Sequence, residues 1–98
     1  MLPGVYAILV FDPTAHPEPF RAVYFGQAED LSARVVRSHE KYSEWTRAAG
    51  GAQLHVAYYL MPNSNEPQRC AVEQGLISHY SPECNDKFNP WVRRALKY

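Results

Sequence analysis

Tyr24-Phe25-Gly26-Gln27-Ala28-Glu29-Asp30-Leu31-Ser32-Ala33-Arg34 carries a β-rich segment through a glycine and into the start of a helix. Upstream, Arg21-Ala22-Val23-Tyr24-Phe25 has the β-branched and aromatic content of a strand, bounded by Gly26. Downstream, Asp30 is an N-cap for a helix from Leu31 to about Tyr42. Val5 to Phe11 is a second β-rich run, and Asp12 to Pro19, with three prolines, reads as a long hairpin loop. Ser43 caps a short second helix closed by Gly50-Gly51. From Gln53 to Met61 the residues Leu54, Val56, Tyr58 and Leu60 alternate on one face, which predicts a third strand ended by Pro62. Asn65 and Pro67 open another helix, and Asn89-Pro90 a last short one with Trp91, Ala95 and Tyr98 on one face. The order β-β-α-α-β-α-α implies an α+β (or α/β) domain: a small three-stranded, mainly antiparallel sheet flanked by helices.

The 98 residues suit one domain, 1–98, without repeats or linkers. Ten basic and ten acidic residues cancel, which argues against a generic high-affinity nucleic-acid coat but leaves room for a local basic surface. Cys70 and Cys84 have no zinc-site spacing and read as free thiols of a reducing compartment. The longest apolar run is too short to span a bilayer, and no basic segment precedes it as in a signal peptide. A cytoplasmic protein with no membrane partner is the expectation.

Glu73 is out of place. In the helix of residues 68–80 the apolar stripe holds Cys70, Leu76, Ile77 and Tyr80, and at about 100° per residue Glu73 falls inside it. A carboxylate withdrawn from water must be paired, protonated or bound to a cation. An edge-of-core Glu bonded to an Arg or Tyr satisfies that requirement as well as a metal does.

Gly4-Val5-Tyr6 on the first strand and Tyr24-Phe25-Gly26 on the second resemble the signature pair of the GIY-YIG nuclease superfamily. Residues 24–34 are similar to that family's YIG-x-(A/S)-x-(N/D)-L-x-x-R pattern along their whole length. Glu73 then occupies the helix position of the family's metal-binding glutamate, and Tyr80-Ser81-Pro82-Glu83-Cys84-Asn85 resembles the segment that closes the domain. The match spans about residues 3 to 86. Each piece alone is weak, but five in the right order are a specific signal.

The resemblance implies that Arg34 is the catalytic arginine, Glu73 the ligand of Mg²⁺ (or Mn²⁺), and Tyr6 with Tyr24 the pair that positions the attacking water and relays its proton. The chemistry of these side chains fits that role independently. Arg34 offers a permanently charged donor fork suited to phosphate, although a surface arginine bonded to Glu29 or Asp30 has the same spacing. One carboxylate matches an ion that keeps several waters and takes phosphate oxygens for the rest. A phenol with an ordinary pKa near 10 needs a downward shift of about three units, or ~4 kcal/mol, to act as base at neutral pH.

His39 departs from the pattern. Relatives carry a His or Tyr four residues after the arginine, where this chain has Ser38. On a regular helix His39 lies about 140° from Arg34, so either the helix breaks near Arg37 or His39 faces solvent. Gln27 stands where some relatives place Lys. Asn85 is expected to tie loop backbone near the site. Lys87, Arg93, Arg94 and Lys97 form a basic tail that reads either as a solvated helix face or as a phosphate-tracking ridge. Asn85, Arg93, Arg94 and Lys97 are therefore the substrate-contact candidates, beside the catalytic set Tyr6, Tyr24, Arg34, His39 and Glu73. The expected function is a metal-dependent endonuclease that hydrolyses a phosphodiester bond, in DNA before RNA, as a homodimer or with a targeting partner. The alternative is a non-cleaving nucleic-acid-binding or protein-interaction module on the same fold.

Overall fold

A computed structural model describes residues 2–34 and 39–86 of the chain. They form a small α+β domain: a three-stranded antiparallel sheet and four helices. The strands β1 (Gly4–Phe11), β2 (Phe20–Ala28) and β3 (Leu54–Leu60) lie in the order β2-β1-β3. The helices are α1 (Leu31–Arg34), α2 (Tyr42–Ala49), α3 (Glu66–Tyr80) and α4 (Glu83–Asp86).

Gly26 does not end β2 as the sequence suggests. The strand continues to Ala28, with Gly26 paired to Tyr6 and Gly4 to Ala28. The glycines serve close approach rather than a turn. A Cβ at Gly26 would meet the Tyr6 ring and hydroxyl, and one at Gly4 would meet the Tyr59 carbonyl oxygen and the Leu31 side chain. A register shift between Ile8 and Leu9 bulges β2 at Val23, which adds this valine to the core.

Tyr6, Ile8 and Val10 point to one face of β1 and are buried with Leu31, Trp45, Ala49 and Cys84. Asp30 caps α1 as expected, accepting from the Ser32 amide and hydroxyl, and it also takes the Leu2 amide. The helix expected to run from Leu31 to about Tyr42 is not continuous: residues 39–41 form a turn that leads directly into α2. Lys41 occupies the N-cap position of α2, not Ser43, and makes no side-chain cap bond. Gly50 closes α2 in the left-handed conformation, and Asn65 opens α3 with a full capping box to Gln68.

The third strand is found where alternation predicts it, while the apolar faces of β3 and α3 are less buried than such patterns usually are. Leu54, Val56, Tyr58 and Leu60 do share the face of Tyr6 and Ile8, but only Leu54 packs on the core; Val56, Tyr58 and Leu60 are 40%, 54% and 52% exposed. The short α2, about 12 Å long, reaches only the start of this edge strand. The stripe on α3 is likewise half-buried at Cys70, Leu76 and Ile77 and exposed at Tyr80, and the residue α3 buries is Arg69. The expected helix at Asn89-Pro90, with Arg93, Arg94 and Lys97, lies outside the described residues. Both cysteines are free thiols. Among the described residues no helix is long and apolar enough to cross a membrane.

Candidate active site

Alternation along two paired strands brings Tyr6 and Tyr24 together. Tyr6 stands opposite Gly26, so Tyr24, two residues back on β2, is its diagonal neighbour on the same face. Their ring centroids are 6.0 Å apart. The turn that leads into α2 places His39 beside them: its Nε2 lies 2.9 Å from the Tyr6 hydroxyl, and its side chain is fully buried. The helical geometry that would have carried His39 away from Arg34 does not apply, because His39 is not in a helix. Trp45 packs on His39 and Tyr24 at centroid distances of 4.5 and 5.2 Å and walls the cluster from behind. Its indole N–H is buried with no hydrogen-bond partner among the described residues. An apolar wall here needed a large residue on α2, and nothing in the local pattern marked Trp45 beyond its size.

The direction of the His39–Tyr6 bond follows from the other ring nitrogen. The Lys41 amide donates to Nδ1 at 3.0 Å. Burial and the Arg34 charge hold the imidazole pKa below its usual value, against the opposing pull of Glu40. A neutral ring that accepts at Nδ1 carries its proton at Nε2, so His39 donates and the Tyr6 oxygen accepts.

Tyr6 itself moves away from phenolate. Burial raises its pKa most, and Tyr24 adds to the rise through charge and a hydroxyl–hydroxyl interaction that favours the protonated form. Arg34 pulls the other way but does not win. The pull of Arg34 is in the direction a base-like Tyr6 would need, but burial outweighs it. Tyr24 is raised as well, by burial first and then by the Glu73 carboxylate.

Arg34 pairs with neither Glu29 nor Asp30. Its two terminal nitrogens grip the Glu40 carboxylate, Nη1 to Oε2 at 2.9 Å and Nη2 to Oε1 at 2.6 Å. That fork holds the Glu40 carboxyl at about 2, far below its usual range, and raises the Arg34 guanidinium further. Glu40, missed in the sequence, is recognisable afterwards only as the acid next to His39.

Glu73 is half-buried on α3, and loss of water pushes its carboxyl above the usual range while Gln74 and the Gln27 backbone partly oppose this. Among the described residues no Lys, Arg or His stands within ion-pair distance of it. A desolvated carboxylate without a cationic neighbour fits a hard cation with one protein ligand. One turn earlier, Arg69 is buried and donates to the Gln27 side chain at 2.9 Å and to the Ser64 carbonyl at 2.9 Å. Arg69 thus staples α3 to β2 beside Glu73. No apolar-stripe argument selects an arginine for burial, so nothing in the local pattern marked it.

Asn85 spends its amide on backbone. Its Oδ1 accepts from the Phe25 amide at 2.8 Å and its Nδ2 donates to the Phe25 carbonyl at 3.0 Å. β2 is a sheet edge, and Asn85 satisfies the peptide groups that edge leaves unpaired. The expected backbone tie is found, on β2 of the signature itself; with both ends of its amide engaged and buried, Asn85 does not present it to a substrate. Compared with known proteins, the chain gives no significant match to a family model, to a curated protein or to a solved structure.

Proposed function

We propose that this domain is a GIY-YIG-like, metal-dependent endonuclease that hydrolyses a phosphodiester bond in nucleic acid, DNA before RNA. The observation that carries the reading is the convergence of Tyr6, Tyr24 and His39 on one face, with the Arg34 charge acting on both phenols and that of Glu73 on Tyr24. Phosphodiester hydrolysis needs a placed water, compensation of charge on the phosphoryl oxygens and a stabilised leaving oxygen. Arg34 supplies the second as a two-pronged donor. Glu73 would hold Mg²⁺ or Mn²⁺, which when bound supplies Lewis acidity at the phosphate and at water.

Tyr6 works in this scheme as a neutral phenol. It accepts from His39 Nε2–H and its own O–H is engaged by the Tyr24 hydroxyl, which leaves the Tyr24 O–H to orient water or a phosphoryl oxygen. Passing a proton on to His39 would require Nε2 to become an acceptor and the Lys41–Nδ1 bond to break, so positioning is the role the geometry favours. Incubating purified protein with plasmid, branched DNA and structured RNA, with and without Mg²⁺, tests the proposal. Cleavage that needs Mg²⁺ and is lost in both Arg34→Ala and Glu73→Gln supports it. Binding without cleavage of any of these substrates would favour the non-cleaving module.

A further inference from the structure

The Arg34–Glu40 pair is built like a phosphate complex with the phosphate replaced. Two carboxylate oxygens of Glu40 meet the two Nη donors of Arg34 fork to fork, at 2.9 and 2.6 Å, as two phosphodiester oxygens would. Those donors are the ones a substrate needs, and the same guanidinium acts electrostatically on Tyr6 and Tyr24. The pair is also exchangeable: the Arg34 and Glu40 side chains are 38% and 60% exposed, and an ion pair at a wet surface adds little net stability.

Glu40 is tethered as well. It follows His39, which is buried against Tyr6 and Trp45, and its Oε2 lies 3.6 Å from His39 Nδ1. A carboxylate fixed this close competes at a high effective concentration, which a monovalent anion in solution cannot match. A nucleic acid that touches other groups of the site can.

We propose that Glu40 is an internal stand-in for the substrate phosphate: it occupies the Arg34 fork in the free protein and is displaced when a phosphodiester binds. The inference rests on the nuclease reading and deepens it. Glu40 holds the arginine extended toward the site between encounters. It also lowers affinity for any anion that cannot repay the exchange.

Binding without chemistry isolates the effect. A fluorescein-labelled DNA duplex with a single-stranded flap is titrated by anisotropy, in EDTA at low salt, with wild type, Glu40→Gln, Arg34→Ala, the double variant and Glu29→Gln. Circular dichroism checks that each is folded. Glu40→Gln is expected to bind roughly three- to tenfold tighter than wild type. That gain should vanish in the Arg34→Ala background, and Glu29→Gln, which removes an exposed acid elsewhere, should change little. If Glu40→Gln binds no tighter than wild type, or gains equally with and without Arg34, Glu40 is not a stand-in even though Arg34 still binds DNA. If Arg34→Ala binds as wild type does, Arg34 holds no phosphate, and the nuclease reading falls together with the inference.

Discussion

Tyr6 and Gly26 stand directly opposite each other in the β1–β2 ladder, and the Tyr6 ring fills the space in which residue 26 would carry a side chain. A Cβ built there would lie 2.7 Å from Tyr6 Cε1. Tyr6 is buried, and its ring is held against Tyr24 and His39. Gly26→Ala should therefore cost about 1–3 kcal/mol by overpacking. Gly75 in the exposed interior of α3 is the opposite case: nothing lies within 4 Å of its Cβ position. Gly75→Ala should stabilise by about 0.5–1 kcal/mol through helix propensity. Urea denaturation of both variants decides the point, and equal stabilities would remove the packing reason given for the Gly26 position.

Arg69 should be the least replaceable charged residue on α3. Truncation to Ala leaves the Gln27 side chain and the Ser64 carbonyl without their donor in a part-buried place. The loss is expected at about 2–4 kcal/mol, most of it the cost of unpaired polar groups. Lys cannot span both acceptors with one ammonium and should recover less than half. A Lys variant as stable as wild type would mean that charge alone, and not the two-armed staple, is what α3 needs.

The sheet, its strands and the α3 cap were legible because each depends on local pattern: alternation, prolines in the hairpin, Asn65 before Pro67. The relative placement of Tyr6 and Tyr24 was legible for the same reason, since pairing and alternation fix it. His39 was legible only as one of two outcomes, because its position depends on where a helix stops, and no residue between Arg34 and His39 marks a stop. Arg69 and Glu40 were hidden for another reason. Their partners lie across the fold or beyond a turn, and periodicity cannot rank one charged residue above another.

His39 gives a pH signature. The unfolded chain takes up the imidazole proton near pH 6.5, whereas burial and Arg34 hold the folded pKa lower. Between those two values the unfolded state binds more protons, so stability falls as pH drops through this window and is unaffected above it. The slope from one proton cannot exceed about 1.4 kcal/mol per pH unit. Wild type should show this loss, and His39→Gln should show a flatter profile in the same window. Imidazole ¹⁵N shifts at pH 7 should report a neutral ring protonated at Nε2; a ring protonated at Nδ1 would overturn the direction of the Tyr6 bond.

Glu73 separates stability from activity. Its carboxyl is raised by desolvation, so keeping it ionised at neutral pH works against the fold, and this cost fades as pH falls toward the ordinary carboxylate range. Glu73→Gln removes the charge with the shape kept and should be at least as stable as wild type at pH 7. Cleavage in Mg²⁺ should be lost. Mg²⁺ should also raise the Tm of wild type and leave that of the variant unmoved, since only a state that binds the ion is stabilised by it. A variant that cuts at the wild-type rate would reduce Glu73 to a structural residue.

Charge balance limits how this domain can hold nucleic acid. Ten acids offset ten bases, and one of those bases, Arg34, is engaged by Glu40. Two more are hydrogen-bonded within the domain, Arg21 to Glu83 and Ala48 at the surface and Arg69, buried, to Gln27 and Ser64. Few phosphates can therefore be contacted at once, with Arg34 and the tail residues Arg93, Arg94 and Lys97 as the expected donors. Each contact adds about −0.9 to the slope of log K against log salt, so duplex DNA should give a slope shallower than roughly −4. Selectivity would then depend on a branched or single-stranded substrate shape, a second copy of the chain or a targeting partner. Titration of labelled linear duplex at several salt concentrations measures the slope directly. A steep slope with nanomolar affinity at physiological salt would show that the chain finds DNA unaided, and the dependence on shape or partner would be wrong.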